Sequence, residues 1–234
     1  MNKKNFVTLY EFDAKKYKFR ELVEGLFGCE PLEDLHVVRE DLIPDDEYNH
    51  RPWPLNEGKS DFDNTFYERL RRPWVEFIDL YEDFVYEYIP DIVGEKFIFQ
   101  KTPNFRIHIP NQKAVTKWHF DADKDHMHPV GEINFIIPVT KMLDTSTVWV
   151  ESEMGKADYA PINFEKGQFC KFNGNLCAHG NKTNMTHETR VSFDFRVLPM
   201  SCYPPKGLDP NNFGESVWMN TKYDIGGYYK EMER

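Results

Sequence analysis

The motif with the clearest chemical use in this sequence is a histidine and an aspartate separated by one residue, His119 and Asp121. In a strand that runs into a turn, side chains two residues apart point to the same side, so an imidazole and a carboxylate can bind one metal ion. His179 can supply a third ligand from a later strand. Two histidines and one carboxylate on one face of a metal suit non-haem Fe(II) and leave the opposite positions open. We therefore predict a metal site formed by His119, Asp121 and His179.

A second motif follows His179 and has the side chains of an anion site. Arg190 comes eleven residues after His179, and Ser192 lies two residues further on. In a strand these two side chains share a face, where a guanidinium fork and a hydroxyl can bind a carboxylate. The pair therefore predicts a binding site for an acidic ligand close to the metal.

The order and spacing of these motifs resemble those of the Fe(II)/2-oxoglutarate-dependent oxygenases. Longer stretches resemble a narrower group of them, typified by the streptomycin-biosynthesis oxygenase-like proteins. These stretches are Gly131 to Phe135, Trp149 to Glu153, Phe172 to Asn175, and His179 to Asn184. The resemblance covers roughly Phe105 to Pro199, which is less than half of the chain.

The resemblance implies an enzyme that binds Fe(II) at the three predicted ligands and uses 2-oxoglutarate and O2 as cosubstrates. The distal carboxylate of 2-oxoglutarate would pair with Arg190 and Ser192, and Asn134 is a further candidate contact to the cosubstrate. Succinate and CO2 would be released while a small polar metabolite, such as a sugar, an aminocyclitol or an amino-acid derivative, is hydroxylated. Desaturation and ring closure remain open. Halogenating members lack the carboxylate ligand, so the presence of Asp121 argues against halogenation.

Nearby residues of the same types offer alternatives. They are His108, Asp123, His126, His128 and Arg196. Asp121 is preferred to Asp123 because the one-residue gap is the family pattern and the simpler geometry. The segment Asp123 to His128 is predicted to form a loop that closes the mouth of the site. Arg190 is preferred to Arg196 because both the ten-residue gap after His179 and the neighbouring Ser192 fit the family motif.

Trp149, Glu151 and Arg106 are the candidates for substrate binding. Trp149 and Glu151 share a face of a predicted strand, where an indole and a carboxylate can orient a polar ring or an ammonium group. The alternative is that Trp149 fills the core and Glu151 is solvated at its rim. Arg106 shares a face with His108 and could bind a substrate anion or pair with a carboxylate.

The N-terminal part, residues 1–95, is predicted to be mostly helical. A helix over Ala14–Phe27 should end at Gly28, and another should cover Asp63–Arg71. Pro73 can begin a third helix, in which an apolar stripe from Trp74 to Val85 should pack against a sheet and Pro90 should end the helix. The segment Glu30–Asn56 is predicted to be a loop near the mouth of the site.

Strand signals dominate residues 96–200, and residues 201–234 form a C-terminal extension. The predicted strands are Lys96–Gln100, Asn104–Ile109, the stretch that carries His119, Gly131–Thr140, Thr145–Glu151, Gly167–Asn173, a stretch near Ala178, and Thr189–Leu198. Short strands without intervening helices indicate an antiparallel double-sheet jelly roll. We therefore expect a mainly β protein with flanking helices, in which a double-stranded β-helix (cupin-like) core and a helical N-terminal part form one domain.

Composition limits the partners. A net charge of -10 argues against nucleic acid, which requires a basic surface, and suits a cationic or neutral polar substrate. Near the N-terminus the apolar run is too short for a signal peptide or membrane span, so we expect a cytoplasmic protein. The four cysteines show no Cys-x-x-Cys spacing and predict no zinc site. The sequence leaves the oligomeric state open.

Two other function classes fit the same predicted fold. One is a metal-dependent cupin enzyme that does not use 2-oxoglutarate. The other is a non-catalytic jelly roll that binds a ligand. Both would make the spacing of Arg190 and Ser192 a coincidence.

Overall fold

The computed structural model describes residues 7–44, 60–72, 74–113, 118–203, 215–216 and 221–232. The helices are α1 (Phe19–Phe27), α2 (Leu35–Val38), α3 (Asp61–Arg71) and α4 (Val75–Val93), and short 3-10 turns lie at Leu32–Asp34, Glu40–Leu42, Asp144–Ser146 and Met200–Cys202. The strands are β1 (Val7–Glu11), β2 (Phe97–Gln100), β3 (Asn104–His108), β4 (Ile133–Pro138), β5 (Val148–Val150), β6 (Ala160–Pro161), β7 (Gln168–Phe172), β8 (His179–Asn181), β9 (Arg190–Pro199), β10 (Glu215–Ser216), β11 (Thr221–Lys222) and β12 (Tyr229–Glu231).

The strands form two sheets that position the site, and all their pairings are antiparallel. The larger sheet has the order β1-β7-β4-β9-β2-β12, with β3 also beside β9. Strand β9 is long enough to pair β3 along its first half and β2 along its second, from His108 opposite Arg190 to Phe97 opposite Pro199. The smaller sheet has the order β6-β5-β8. A jelly-roll core, as predicted, is confirmed.

Strand β9 separates the apolar core from the polar interior of the jelly roll. Val191, Phe193, Phe195 and Val197 are fully buried on one face. On that side the ring of Phe193 packs 5.6 Å from Phe77 of α4, and Phe195 packs 5.4 Å from Tyr81, centroid to centroid. The predicted stripe on α4 therefore does pack against the sheet. The polar residues of β9 then face the opposite side, where Arg190, Ser192, Asp194 and Arg196 line one cavity with His119 and with His179 of β8.

The helix boundaries agree with the predictions at some ends and differ at others. Helix α1 ends at Gly28, which adopts the left-handed conformation that glycine accommodates without strain. Pro90 does not end α4, which continues to Val93 and is capped by the N–H of Gly94 donating to the carbonyl of Pro90. A proline costs the helix one hydrogen bond. Burial of Ile89 beside it and the cap at Gly94 offset that loss.

Two further predictions about the N-terminal part need correction. Residues 30–44 are not a plain loop, since they contain α2 and two 3-10 turns, and residues 45–56 of that predicted loop lie outside the described residues, as does Pro73. Strand β1 was not predicted, yet it pairs β7 from Val7 opposite Phe172 to Glu11 opposite Gln168. At the other end of the chain β12 pairs β2, so segments from both termini belong to the larger sheet. No helix in the described part of the chain is long and apolar enough to cross a membrane.

Candidate metal centre

Backbone hydrogen bonds bring the two histidines of the predicted triad together. The N–H of His119 donates to the carbonyl of His179 at 3.0 Å, and the N–H of His179 donates to the carbonyl of His119 at 2.8 Å. His179 begins β8, whereas His119 makes only this isolated bridge. Two residues later, the N–H of Asp121 donates to the carbonyl of Gly174 at 2.9 Å, which fixes the carboxylate beside the two rings.

The three side chains form a compact set of ligand atoms. One Asp121 oxygen, Oδ1, lies 3.4 Å from His119 Nε2 and 3.7 Å from His179 Nε2. All three ligand atoms lie within 4.8 Å of one another, and all three residues are buried. Although Asp121 Oδ1 is buried, it has no hydrogen-bond partner in the part of the chain that the structure describes. A buried carboxylate oxygen without a donor is costly, so the set fits a cation that would bind this atom and the two imidazoles.

The other oxygen of Asp121 is held by two donors. Asn134 Nδ2 donates to Asp121 Oδ2 at 2.6 Å, and Arg196 Nε donates to the same atom at 3.1 Å. These bonds orient the carboxylate so that Oδ1 faces the histidines. The sequence predicts that Asn134 contacts the cosubstrate, but the structure places its amide nitrogen on the carboxylate of Asp121.

The electrostatic surroundings favour the protonation states that a metal requires. Burial by itself would raise the pKa of Asp121, but Arg196 and His119 hold that pKa well below its ordinary value. Burial, with His119 nearby, lowers the pKa of His179 to about 4. Nδ1 of His179 lies 3.1 Å from the carbonyl of Cys177, which can only accept a hydrogen bond. The proton is therefore on Nδ1, and the lone pair of Nε2 is available to a metal.

One cavity is lined both by the two histidines of the triad and by the predicted anion site. Its lining includes His119, His179, Asn181, Arg190 and Ser192. Arg190 is 2% exposed, yet its hydrogen bonds go to neutral atoms: Nε donates to the carbonyl of Ser146 at 3.0 Å, and Nη1 donates to Ser192 Oγ at 3.0 Å. Burial, together with repulsion from Arg106, lowers the pKa of Arg190 to about 9. A buried guanidinium held this way suits an incoming carboxylate.

Arg196, the alternative to Arg190, has different neighbours. Besides Asp121, it donates through Nη1 to Asp194 Oδ2 at 2.5 Å. Arg106 donates through Nε to the other oxygen, Asp194 Oδ1, at 2.9 Å. Burial opposes ionisation of Asp194, but Arg106 and Arg196 lower its pKa below the ordinary value. Arg196 thus lies between two carboxylates, one of which is that of Asp121.

The segment Asp123 to His128 folds back over the triad. Asp123 Oδ1 accepts from the N–H groups of Asp125 and His126 at 2.9 and 2.8 Å, which makes a tight turn. The ring of His126 stacks on that of His119 at a centroid distance of 4.0 Å. Asp123 therefore organises the turn and is not placed as a third ligand, and the predicted position of this segment at the site agrees with the structure.

A second group of buried ligand-type residues lies behind Asp121. It consists of Asp121, His128 and Glu132, whose ligand atoms are also within 4.8 Å of one another. His128 Nδ1 is 2.7 Å from Glu132 Oε2, and Tyr229 donates its hydroxyl to the other oxygen of Glu132. Because Glu132 already has these partners, this group holds the turn and the C-terminal segment together behind the metal site. Sequence reasoning missed this contact from β12.

Trp149 and Glu151, the two residues on the predicted substrate strand, are not among the residues that line the cavity. Val148 lines the cavity, so its neighbour Trp149 points to the other side of β5. The indole nitrogen of Trp149 donates to the carbonyl of Asp144 at 2.8 Å, and Lys182 Nζ lies 3.3 Å from the centroid of the ring. The strand ends at Val150, and the geometry gives no support to substrate selection by Trp149.

Glu151 is 2% exposed, and its carboxylate is used by the backbone. Oε1 accepts from the N–H groups of Gly155 and Ala178 at 3.0 and 2.7 Å, and Oε2 accepts from that of Ala157 at 2.9 Å. Since Ala178 precedes His179, these bonds help to place β8. Neither the predicted substrate role nor the solvated alternative describes Glu151, whereas Arg106 does line the cavity.

No protein-family model matches the chain. The chain is similar to the streptomycin biosynthesis protein StrG of Streptomyces griseus, at 30% identity over 223 residues that cover 95% of this chain and 96% of the relative. Among solved structures it is similar to the apoform of EctD from S. alaskensis, with a TM-score of 0.51 and 11% identity over 90% of this chain and 80% of that one. CytC3 with Fe(II) and alpha-ketoglutarate gives a TM-score of 0.46 and 13% identity over 97% and 89% of the two chains.

Proposed function

The chain belongs to the family of the streptomycin biosynthesis protein StrG, and from that premise and the geometry of the site we propose that it is a non-haem Fe(II)- and 2-oxoglutarate-dependent oxygenase. The proposal assigns Fe(II) to His119, Asp121 and His179. It assigns the distal carboxylate of 2-oxoglutarate to Arg190 and Ser192.

One observation carries the proposal. A single cavity is lined by the two histidines of a buried triad, whose carboxylate has an oxygen without a donor among the described residues, and by a buried arginine that donates to neutral atoms through Nε and Nη1. A ligand with an acidic group at each end fits these two sites, because one end can bind a metal and the other can pair with the guanidinium. The dicarboxylate 2-oxoglutarate has this form.

The side chains of the chain have separate tasks in this proposal. His119, Asp121 and His179 would hold the metal beside the cavity that the two histidines line. Asn134 and Arg196 fix Asp121 so that one oxygen binds the metal. Arg190 and Ser192 orient the cosubstrate, while Ile136, Val148 and Phe172 supply apolar walls that limit water. When bound, Fe(II) supplies the chemistry that couples decarboxylation of 2-oxoglutarate to oxidation of a C–H bond by O2.

The substrate we propose is a small polar metabolite, such as a sugar, an aminocyclitol or an amino-acid derivative, and the proposed outcome is hydroxylation with release of succinate and CO2. The name of StrG assigns that relative to streptomycin biosynthesis, which supports a substrate of this size and polarity. The acidic composition supports a small-molecule partner rather than a nucleic acid, and we propose a cytoplasmic enzyme.

The test is succinate formation by the purified protein in the presence of Fe(II), ascorbate, 2-oxoglutarate and air, together with a measurement of bound metal. We expect succinate even without the substrate. His119→Ala should abolish both succinate formation and metal binding. His187, an exposed histidine, provides the matched control, and His187→Ala should retain both.

Other outcomes would assign the chain to the alternative classes. Metal binding and O2 consumption that do not respond to 2-oxoglutarate would indicate a metal-dependent cupin enzyme of another kind. Absence of metal binding by the wild-type protein would indicate a ligand-binding jelly roll.

A further inference from the structure

Asp121 is fixed through its backbone as well as through its carboxylate. Its N–H donates to the carbonyl of Gly174, and its carbonyl accepts from the N–H of His128 at 3.0 Å. The second of these bonds closes the turn that runs from Asp121 to His128. Because a functional side chain has to lie within about 0.5 Å of its productive position, the placement of His128 bears directly on the metal centre.

The ring of His128 is held by the carboxylate of Glu132. His128 Nδ1 lies 2.7 Å from Glu132 Oε2, and the two side chains are 6% and 0% exposed. Ligand-type atoms of both residues lie within 4.8 Å of one in Asp121. Glu132 therefore lies directly behind the carboxylate of the triad and fixes the orientation of the His128 ring.

Two tyrosines of the C-terminal segment, residues 221–232, hold this arrangement from the far side. Tyr229 of β12 donates its hydroxyl to Glu132 Oε1. Tyr223 donates its hydroxyl to the carbonyl of His126 at 2.9 Å, and its ring centroid lies 4.4 Å from that of His128. Both tyrosines are fully buried. Since β12 pairs with β2, these contacts tie the turn to the larger sheet.

Stability alone does not explain a carboxylate at the position of Glu132. Removal of a carboxylate from water costs several kcal/mol, and well-packed apolar residues in place of a buried ionic contact are often equally stable. A buried carboxylate with one bonded neighbour on each side does fix the relative positions of those neighbours. Here the neighbours are His128, next to the metal centre, and Tyr229, in the C-terminal segment.

We propose that Glu132 is a positioning residue of the metal centre and that the C-terminal segment sets the affinity for the metal through it. Tyr229 orients Glu132, Glu132 orients His128, and His128 holds the backbone of Asp121. The inference rests on the proposed function and adds to it the residues that determine how tightly the metal is held. Outer contacts of this kind typically change metal affinity by about 10–100-fold.

The experiment measures binding of Co(II) to the whole chain by competition with a chelator, at a temperature well below thermal unfolding. The visible absorption of bound Co(II) depends on the number and arrangement of its ligands and provides a second readout. Glu132→Gln keeps the size of the side chain but has one acceptor oxygen instead of two. We expect this variant to bind Co(II) about 10–100-fold more weakly than the wild type, with a changed absorption spectrum.

Tyr229→Phe separates position from charge, because it removes one hydroxyl and leaves every charge in place. We expect a loss of Co(II) affinity that is smaller than that of Glu132→Gln. Residues that act through one another are not additive. In a protein that already carries Glu132→Gln, Tyr229→Phe should therefore cause no further loss.

Tyr17→Phe is the matched control. Tyr17 is also buried, at 2% exposed, and also donates its hydroxyl to a carboxylate, Glu87 Oε2, at 2.8 Å. That contact joins the N-terminal part to α4 and involves none of the residues of the metal centre. Tyr17→Phe should lower the Tm about as much as Tyr229→Phe does and leave the affinity and the spectrum of Co(II) unchanged. A purely structural role for Tyr229 predicts that the two variants behave alike.

Three results would overturn the inference. These are unchanged Co(II) affinity and absorption in Glu132→Gln, equal losses of affinity in Tyr229→Phe and Tyr17→Phe, or an undiminished further loss from Tyr229→Phe in the double variant. If Glu132→Gln does not fold, the comparison of the two tyrosine variants decides the question. None of these results depends on succinate formation. A wild-type protein that makes succinate, with a Glu132→Gln variant that binds Co(II) normally, would refute this inference and leave the proposed function in place.

Discussion

Replacement of Arg190 by glutamine separates ligand binding from fold stability. In most buried ion pairs, removal of one partner leaves the other charge unpaired and destabilises the fold by about 3–5 kcal/mol. Arg190 differs because its Nε and Nη1 donate to the carbonyl of Ser146 and the hydroxyl of Ser192, which are neutral. Arg190→Gln therefore abandons no bonded carboxylate in the ligand-free protein. Glutamine can still donate to one of the two neutral acceptors.

The expected loss in 2-oxoglutarate affinity is large. Truncation of one partner of a buried, hydrogen-bonded charge pair costs about 2–5 kcal/mol. Since about 1.4 kcal/mol corresponds to a factor of ten, the KM for 2-oxoglutarate should rise by about 30-fold to several thousand-fold. Succinate formation as a function of 2-oxoglutarate concentration measures this rise.

The ligand-free variant should be at least as stable as the wild type. Burial lowers the pKa of Arg190 to about 9, which means that the folded state disfavours the charged form. This cost is fully present below about pH 9 and fades as the pH rises toward the ordinary pKa of arginine, where the unfolded chain also loses its proton. At neutral pH, Arg190→Gln removes the buried positive charge and should therefore remove the free-energy cost of burying it.

Thermal unfolding of Zn(II)-loaded protein, with and without 2-oxoglutarate, tests both the loss of 2-oxoglutarate affinity and the stability of the ligand-free variant. A ligand at 100 times its Kd stabilises the folded state by about 2.7 kcal/mol. For a domain of this size that is a rise in Tm of roughly 5–10 °C. Wild-type protein should show this rise with 2-oxoglutarate, and Arg190→Gln should show none. A full rise in the variant would refute the role of Arg190. Equal losses in Arg190→Gln and Arg196→Gln would remove the reason for preferring Arg190, because Arg196→Gln should weaken metal binding instead.

Three further variants test the neighbouring contacts. Ser192→Ala removes one neutral partner and should raise the KM for 2-oxoglutarate about fivefold, for a loss of about 1 kcal/mol; an effect as large as that of Arg190→Gln would contradict this. Asn134→Ala removes a 2.6 Å bond to Asp121 and should weaken metal binding by about 1.5–3 kcal/mol, measured by competition with a chelator, with little change in the KM for 2-oxoglutarate. Burial opposes ionisation of Glu151, but three backbone N–H groups lower its pKa, so Glu151→Gln should destabilise the fold by about 1–3 kcal/mol. That difference should be present above the ordinary carboxyl pKa of 4.5 and vanish as the pH falls through the folded value; a difference that persists in acid would contradict the assignment.

Strong periodicity made parts of the fold predictable. The stripe on α4 and the alternation on β9 each specify one apolar face, and the two faces pack together through Phe77, Phe193, Tyr81 and Phe195. Alternation alone could not decide whether the polar face of β9 met water or the interior of the jelly roll. That choice depends on β8 and the His119 segment, which cover the polar face in the structure.

Segments whose state depends on distant partners were not predictable. The sequence Val7–Glu11 is too short for its strand-forming residues to decide its state, and it becomes a strand by pairing with β7. Tyr229 contacts Glu132 across 97 residues of sequence separation. Pro90 was assigned to the end of α4 by local propensity, but the packing of Ile89 and the cap at Gly94 extend the helix beyond it.

Distant partners also decide the roles of two residues within the site. Arg190 and Arg196 lie six residues apart on one face of one strand. Both are buried, and the strand itself offers them equivalent positions. Their roles separate because Arg196 lies opposite Asn134 of β4, next to Asp121, whereas Arg190 lies opposite His108 of β3, next to Ser146. Arg196 pairs with two carboxylates of the protein and orients Asp121 in the proposed metal site. Among the described residues, Arg190 donates through Nε and Nη1 to neutral acceptors, so its guanidinium can pair with the carboxylate of an incoming ligand.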